Sequence, residues 1–339
     1  MLGVLGRQTV RMTRLLVLGG TEFVGRAVVE EALSRGWEVT VFHRGRHEAP
    51  AGVEARHGDR TEPGGLASLE TGEWDHVVDT WSGKPSAVTA TARLLEGRVG
   101  HYAYVSSRSV YVFPTGPGRD EEAPVVESSL DNDGTDYARA KRGGEMAAEA
   151  VFGDRALFIR SGAILGPYEN IGRLPWWLNR IARGGPVLAP GPRDLPIQYI
   201  DVRDQAVWTL GAAEKGLVGP YNMVSPPGHT TMEGLLTACK EATGSDAELR
   251  WTAPEVIEEA GIKPWTELPV WLPPGELHET LYQGNVDKAL ATGLDCRPVA
   301  ETVADTWKWL RSLGGEAPQR PDRPQVGLDP EVEARVLGL

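Results

Sequence analysis

The first regular pattern of apolar residues lies close to the amino end of the chain. An apolar run at residues 15–18 is followed by a glycine-rich turn and then by apolar residues at helical spacing from Val24 to Ala32. A second apolar run follows at residues 38–42. This order predicts a strand, a helix and a parallel strand, the unit from which parallel sheets are built.

The same alternation continues through the first half of the chain. Further strands are predicted at residues 53–57, 76–80, 102–106 and 156–160, and helices at residues 85–95 and 137–151. Alternation sustained over this length predicts an α/β fold with a doubly wound parallel Rossmann sheet.

Beyond residue 165 the composition and the apolar pattern change. Trp and Pro become frequent, and the strict periodicity of apolar residues is lost. We therefore predict that residues 14–165 form a dinucleotide-binding Rossmann domain, which is completed by a returning segment at residues 197–225. Residues 166–196 and 226–315 are predicted to form a smaller, mostly C-terminal lobe that binds substrate.

Two features of chain organisation complete this prediction. Residues 198–202 and 219–223 have the pattern of additional strands, which implies that the chain returns to the sheet. Residues 1–13 are expected to be an N-terminal extension whose deletion is harmless. The Pro-rich residues 316–339 are expected to form a C-terminal arm on the surface.

Composition and charge narrow the class of protein. Of the 339 residues, 41% are hydrophobic and 24% are charged, as is typical of globular domains. The formal net charge of -12 would repel a phosphate backbone, and no Lys/Arg-rich run offsets it locally. We therefore expect a small-molecule substrate and no nucleic-acid partner.

The cysteine and histidine content bears on metal binding and on the compartment. Cys239 and Cys296 cannot build a disulfide framework or a paired-cysteine metal site, and the histidines show no metal-binding spacing. The amino end lacks the long apolar run of a signal peptide or membrane span. We expect a cytoplasmic protein with no metal and no membrane contact. A homodimer is a possible oligomeric state, which no residue pattern decides.

The turn after the first strand has the composition of a phosphate-binding turn. Its glycines allow a sharp change of direction, and the amides of the following helix can hold a pyrophosphate. Glu22 takes the place of the usual middle glycine and puts a carboxylate near the expected phosphates. The residues predicted to contact the cofactor here are Gly19, Thr21, Glu22, Phe23, Val24 and Gly25.

Cations follow the second predicted strand. His43, Arg44 and Arg46 stand where an NAD-preferring site usually offers Asp or Glu to the ribose 2′-hydroxyl. Because a guanidinium pairs well with a 2′-phosphate, we predict a preference for NADP(H), with NAD(H) as the alternative. A solvated basic loop is the other interpretation of these residues.

Three more residues lie at or just past the ends of predicted strands, at the edge where ligands bind in such sheets. Asp59 is positioned to accept a hydrogen bond from the adenine amine, and Asp79 and Thr80 end the next strand. All three are therefore predicted to contact the cofactor. Each could equally be a helix N-cap.

The candidate catalytic residues are Ser107, Tyr137 and Lys141. Tyr137 and Lys141 are four residues apart and hence share one helix face, where the ammonium favours the phenolate and makes Tyr137 a proton donor. Lys141 can also hold the nicotinamide ribose. Ser107 ends a predicted strand and can hydrogen-bond a substrate oxygen, with Ser106 or Ser109 as alternatives.

These motifs resemble those of extended or atypical short-chain dehydrogenases/reductases, of the NAD-dependent epimerase/dehydratase-like family. The resemblance covers about residues 14–313 through Gly-Gly-Thr-x-Phe-Val-Gly, Val-Ser-Ser, Tyr-x-x-x-Lys and Gly-Pro. It implies that Ser107, Tyr137 and Lys141 are catalytic. The glycine-rich turn also resembles a subgroup related to chloroplast RNA-binding proteins, which we take as a fold relationship alone.

Departures from the family pattern narrow the expected reaction. Ala163 stands where enzymes acting on nucleotide sugars commonly have an Asn that contacts the substrate diphosphate. Arg108 and Ser109 stand where sugar 4,6-dehydratases have Asp-Glu, which argues against dehydration by that route. We expect an NAD(P)-dependent oxidoreductase acting on a carbonyl or alcohol. An epimerase with retained NAD and a non-catalytic dinucleotide-sensing protein are the alternatives.

Overall fold

The computed structural model describes residues 11–114 and 116–339, so most of the expected N-terminal extension lies outside the described residues. The first half of the chain alternates strands and helices as the apolar pattern predicts. Its elements are β1 Arg14–Leu18, α1 Phe23–Ser34, β2 Glu38–His43, β3 Glu54–His57, β4 Trp74–Asp79, α2 Pro85–Leu95, β5 Val99–Ser107, α3 Tyr137–Phe152 and β6 Ala156–Ser161.

The second half contributes one more long strand and most of the smaller elements. These are β7 Ala163–Leu165, α4 Arg173–Ala182, β8 Pro186–Pro190, β9 Pro196–Ile197, β10 Tyr199–Asp201, α5 Val202–Glu214, β11 Gly219–Met223, β12 Thr230–Thr231, α6 Met232–Thr243, β13 Glu248–Thr252, α7 Pro254–Glu259, β14 Pro264–Trp265, β15 Leu268–Pro269, α8 Glu276–Tyr282, α9 Asp287–Ala291, α10 Val299–Ser312 and α11 Pro330–Leu337.

The central sheet has seven strands in the order β11-β6-β5-β4-β1-β2-β3, and every neighbouring pair is parallel. The predicted doubly wound Rossmann fold is therefore confirmed. Because the strand order reverses between β1 and β4, the crevice beyond their carboxyl ends is the topological switch point, where ligands bind in such folds.

Helices cover both faces of the sheet, which explains why β1 is apolar at successive positions. Leu15 and Val17 pack on the face covered by α1 and α5, while Leu16 and Leu18 pack on the face covered by α2 and α3. These four side chains of β1 are all buried. Burial on both faces makes β1 a rigid support for the turn that follows it.

One strand prediction needs correction. Gly219–Met223 joins the central sheet as an edge strand beside β6, as expected. Residues 198–202 do not join it, because β10 pairs instead with β7 in a separate two-stranded sheet. A short apolar run predicts an extended segment but does not identify the strand with which it pairs.

The second lobe has its own core, built on α4, α6, α10 and the β8-β13 pair. The C-terminal residues 316–339, expected to be a surface arm, end in a helix that packs on this core. Leu328 is buried, and the buried Glu333 carboxylate accepts hydrogen bonds from Arg180 Nε and from the backbone N–H of Leu188.

Candidate active site

The turn after β1 is as tight as its glycines predict. Gly19 has φ +94°, and a Cβ there would lie 2.4 Å from Thr80 Oγ1. A Cβ on Gly25 would lie 1.9 Å from the carbonyl oxygen of Gly19. Side chains at these two positions would therefore block the turn and push α1 away from β1.

The amino end of α1 is open to a ligand. Glu22 occupies the N-cap position, but its side chain makes no capping hydrogen bond, so no side chain among the described residues caps the first backbone N–H groups of the helix. Phe23 is buried and Val24 is partly buried in the core, so both can offer only backbone amides to a ligand. These N–H groups and the helix dipole suit a pyrophosphate.

The Glu22 carboxylate has partners other than those amides. Its Oε1 lies 3.4 Å from Asn170 Nδ2, which donates to it, and 3.5 Å from His47 Nε2. Glu22 therefore connects the turn after β1 to the second lobe. Thr21, in the same turn, is partly exposed.

The basic residues after β2 lie beside the end of β3. Arg44 and Arg46 are exposed, whereas His43 is buried with its ring centroid 4.5 Å from that of His57. Burial lowers the pKa of His43, and the neighbouring His57 and His47 lower it further, so His43 is neutral near pH 7. The positive charge at this corner therefore comes from Arg44 and Arg46.

Asp59 lies next to this basic corner. It accepts hydrogen bonds from the backbone N–H and the hydroxyl of Thr61. The hydrogen bonds from Thr61, with a smaller contribution from Arg44 and Arg46, lower the pKa of Asp59. Asp59 therefore shapes a local turn at the predicted adenine end of the groove.

Asp79 has a structural role that the sequence pattern did not reveal. It is fully buried, its two carboxylate oxygens accept from Arg60, and it also accepts from the Tyr102 hydroxyl and the Trp81 N–H. Burial alone would raise the pKa of Asp79, but the Arg60 guanidinium holds it below its usual range. Both oxygens are engaged, so we assign Asp79 to fixing the end of β4 rather than to direct cofactor contact.

Thr80 is engaged in the same way. Its hydroxyl donates to the carbonyl oxygen of Leu18 at 2.9 Å and packs against Gly19. It therefore ties the loop after β4 to the turn after β1. Arg60 and Tyr102, which hold Asp79, carry no pattern that identifies them in the sequence.

Tyr137 and Lys141 lie on the first turns of α3, as predicted. The helix begins at Tyr137 because the Asp136 side chain caps it by accepting from the Arg139 N–H. Lys141 is buried, and its Nζ donates to the carbonyl oxygens of Trp81 and Val105. Lys141 thereby joins α3 to the carboxyl ends of β4 and β5.

The environment of Lys141 changes its proton affinity. Burial lowers the pKa of Lys141 to about 7, and the nearby Arg320 and Arg323 act in the same direction. The Nζ also lies 4.8 Å from the centroid of the Tyr104 ring. The ammonium is therefore desolvated, which strengthens its electrostatic effect on groups that share the site.

The serines at the end of β5 have different partners. Ser107 Oγ accepts from the Ser109 N–H and donates to Ser109 Oγ, both at 3.1 Å. Ser106 Oγ donates to the buried carboxylate of Glu145, which Arg160 also contacts. This network argues against Ser106 as the hydroxyl that contacts substrate.

The C-terminal segment contributes a contact that sequence patterns missed. The Arg323 guanidinium lies 4.7 Å from the centroid of the Tyr137 ring. The two residues are far apart in the chain, and no motif links them. Only the fold brings this cation to the ring of Tyr137, a residue that keeps 37% of its surface accessible.

The chain has the parallel sheet, the uncapped helix amides at the switch point and the Tyr137/Lys141 pair that are typical of extended short-chain dehydrogenases/reductases, a class of α/β proteins. Residues 15–223 match the NAD dependent epimerase/dehydratase family, and the chain belongs to that family. No helix in the described ranges is long and apolar enough to cross a membrane.

The chain is also similar to individual proteins. The chloroplast stem-loop binding protein of 41 kDa b from Arabidopsis thaliana is 24% identical over 251 residues, which cover 68% of this chain. The match covers 63% of that protein, so this chain spans less than two thirds of its relative.

Solved structures share the fold at low sequence identity. The Bordetella bronchiseptica enzyme WbmF in complex with NAD+ is 21% identical with a TM-score of 0.64, over 88% of this chain and 93% of that one. The Thermus thermophilus UDP-glucose 4-epimerase in complex with NAD is 22% identical with a TM-score of 0.62, over 88% and 99%.

Proposed function

We propose that the protein is a nicotinamide-dependent oxidoreductase that interconverts a carbonyl and an alcohol on a small metabolite. The observation that carries this proposal is the buried Lys141, one helical turn from Tyr137 and bonded to the ends of β4 and β5 beside the switch point. Strongly lowered lysine pKa values cluster at functional sites, and burial lowers the pKa of Lys141 to about 7.

The residues present fit a dinucleotide. The uncapped amides of α1 suit its pyrophosphate, and Gly19 and Gly25 keep the approach free of side chains. A bound nicotinamide would supply or accept the hydride at the substrate carbon. Membership of the NAD dependent epimerase/dehydratase family supports this choice of cofactor.

The protein side of the mechanism is proton transfer. In the reducing direction, Tyr137 gives its proton to the carbonyl oxygen as hydride reaches the carbon, and the product is an alcohol. The Lys141 ammonium lowers the cost of the resulting phenolate. Ser107 donates a hydrogen bond that orients the substrate oxygen.

Tyr137→Phe tests this mechanism. We expect the variant to lose at least about a hundredfold in kcat, the range usual for removal of a general acid, while the dinucleotide dissociation constant stays within about twofold. Turnover should be followed as NADPH absorbance with a panel of carbonyl substrates. Full turnover by Tyr137→Phe would refute the assigned role.

We further propose a preference for NADP(H), on the strength of the exposed Arg44 and Arg46 after β2. The double variant Arg44→Gln/Arg46→Gln should bind NADPH at least about tenfold more weakly, because each charged hydrogen bond contributes roughly 1.5–3 kcal/mol. NADH affinity should not change. Equal loss for both dinucleotides, or none for NADPH, would contradict the preference.

An epimerase that keeps its cofactor is the second candidate, favoured by the name of the Thermus thermophilus neighbour. Such an enzyme oxidises and then re-reduces its substrate without net redox change. Tightly held NAD in the purified protein, together with the absence of net NADPH consumption, would favour it. The lack of an amide side chain at Ala163 argues against the diphosphate contact common in that group.

A further inference from the structure

The segment between α10 and α11 leaves the second lobe and returns to it. Its far end is anchored by Glu333, which pairs with Arg180 in α4. Its near end is anchored by α10, which packs against α6 and α4. Between these anchors, residues 319–323 reach the dinucleotide-binding domain, and we call these five residues the strap.

The strap is tied to both sides of the crevice beyond the carboxyl ends of β1 and β4, which we call the cleft. The backbone N–H of Arg320 donates to the carbonyl oxygen of Asn170 at 3.0 Å, on the lobe side. Its Nη2 lies 3.5 Å from Ser82 Oγ, on the domain side. At the end of the strap, Arg323 covers the ring of Tyr137. The strap therefore crosses the cleft near the candidate catalytic tyrosine.

Arg320 lies across the topological switch point. Ser82 belongs to the loop after β4, and Asn170 is bonded to Glu22 in the turn after β1. The backbone and side-chain contacts of Arg320 therefore lead to the two loops that flank the switch point. A pyrophosphate held by the α1 amides would occupy the space between those loops.

The guanidinium of Arg320 is oriented but not saturated. Asp322 accepts from its Nε at 3.0 Å and from its Nη2 at 2.6 Å, which fixes the plane of the group. No described residue accepts a hydrogen bond from its Nη1, which keeps two N–H donors. Glu22, the other carboxylate nearby, already has Asn170 and His47 as partners.

We propose that Arg320 binds the pyrophosphate of the dinucleotide from the side opposite the α1 amides. The two N–H donors on Nη1 can bind phosphate oxygens, and a guanidinium makes strong charge-assisted hydrogen bonds to such oxygens. The added cation would also offset the carboxylate of Glu22 in the phosphate-binding turn. This inference rests on the proposed function, because it requires that a dinucleotide occupies the groove.

The test compares a dinucleotide with a ligand that lacks the pyrophosphate. Arg320→Gln should weaken NADPH and NADH binding by about tenfold or more in calorimetric titration, as for loss of one charged hydrogen bond. Its affinity for adenosine 2′-phosphate, measured by ligand-detected NMR, should equal that of wild type. Arg311→Gln removes the same charge from an exposed position on α10 and should bind every ligand like wild type.

Two outcomes overturn the inference while leaving the proposed function intact. One is an Arg320→Gln variant that binds the dinucleotides like wild type. The other is an equal loss for adenosine 2′-phosphate, which would show that Arg320 only supports the shape of the cleft. If wild type bound neither NADPH nor NADH, the proposed function would be refuted, and this inference would be refuted with it.

Discussion

Adjacent residues on a strand point to opposite faces, and Ser106 and Ser107 at the end of β5 show the consequence. Ser106 is bonded to the buried Glu145, whereas Ser107 pairs only with its neighbour Ser109. Ser107→Ala should lower kcat by about a hundredfold with little change in stability, as for loss of one oxygen-binding donor. Ser106→Ala should keep kcat and lose about 1.5–3 kcal/mol of unfolding free energy, because its hydroxyl donates to a carboxylate.

The pair of variants serves as its own control, since each removes one hydroxyl from the same strand. Steady-state kinetics and urea denaturation measure the two effects separately. If Ser106→Ala lost turnover and Ser107→Ala kept it, Ser106 would be the residue that contacts the substrate oxygen, and the assignment of Ser107 would be wrong.

The pKa of Lys141, lowered by burial to about 7, makes a prediction about stability. An unfolded lysine keeps its proton up to about pH 10.4, so the unfolded state binds more protons than the folded state between these values. Stability therefore rises with pH in this window. The unfolding free energy of wild type should rise with pH relative to that of Lys141→Met. The difference should increase by up to about 1.4 kcal/mol per pH unit.

Denaturation of both proteins at pH 6 to 10 supplies the measurement, and titrations common to both cancel in the difference. A difference independent of pH would mean that Lys141 keeps its proton throughout this range.

At the scale of elements, the decisive contact is the approach of α1 to β1. Gly25→Ala would place a Cβ 1.9 Å from the Gly19 carbonyl oxygen, so the turn must shift. We expect dinucleotide affinity to fall at least about tenfold, because displaced amides lose charge-assisted hydrogen bonds to phosphate. Thermal shift with and without NADPH measures this loss.

A matched glycine lies in α5. A Cβ on Gly211 would meet nothing within 4 Å, so Gly211→Ala should keep NADPH affinity and gain about 0.5–1 kcal/mol of stability from helix propensity. Unchanged NADPH binding by Gly25→Ala would show that the turn is not the phosphate site.

At the scale of the whole molecule, we expect the stability to depend on acid pH through a histidine that lies away from the candidate active site. His76 lies between Trp37 and His101, with ring centroids 5.6 and 5.9 Å away. Burial, and then His101, lowers the pKa of His76 to about 4. Because the unfolded side chain gains its proton near pH 6.5, the contribution of neutral His76 to stability is complete above that pH and is lost as the pH falls toward 4.

His76→Gln should therefore reduce the fall in unfolding free energy between about pH 6.5 and pH 4. We expect a change of about 1–2 kcal/mol across the window, a value reduced for the partial exposure of the imidazole. Burial also lowers the pKa of His101, so part of this loss of stability at acid pH should remain in the variant. Chemical denaturation at pH 4.5 and pH 7 gives the comparison, and identical slopes would contradict it.

Much of this molecule follows from local pattern. The period of apolar residues predicted the strands and helices from β1 to β6, because an element that buries one or both faces must repeat apolar residues at its own period. The four-residue spacing likewise put Tyr137 and Lys141 on one helix face, because α-helical geometry depends only on nearby residues. Gly19 and Gly25 marked the tight turn for the same reason.

Long-range partners had to come from the tertiary structure. The sequence does not show that Asp79 is occupied by Arg60 and Tyr102, that β10 pairs with β7, or that Arg320 reaches the cleft. Each depends on how distant elements pack, and packing is decided by shape and burial over the whole chain. Residue types and their spacing therefore determined the fold class and the candidate chemistry, whereas the tertiary structure decided which side chains remain free to perform it.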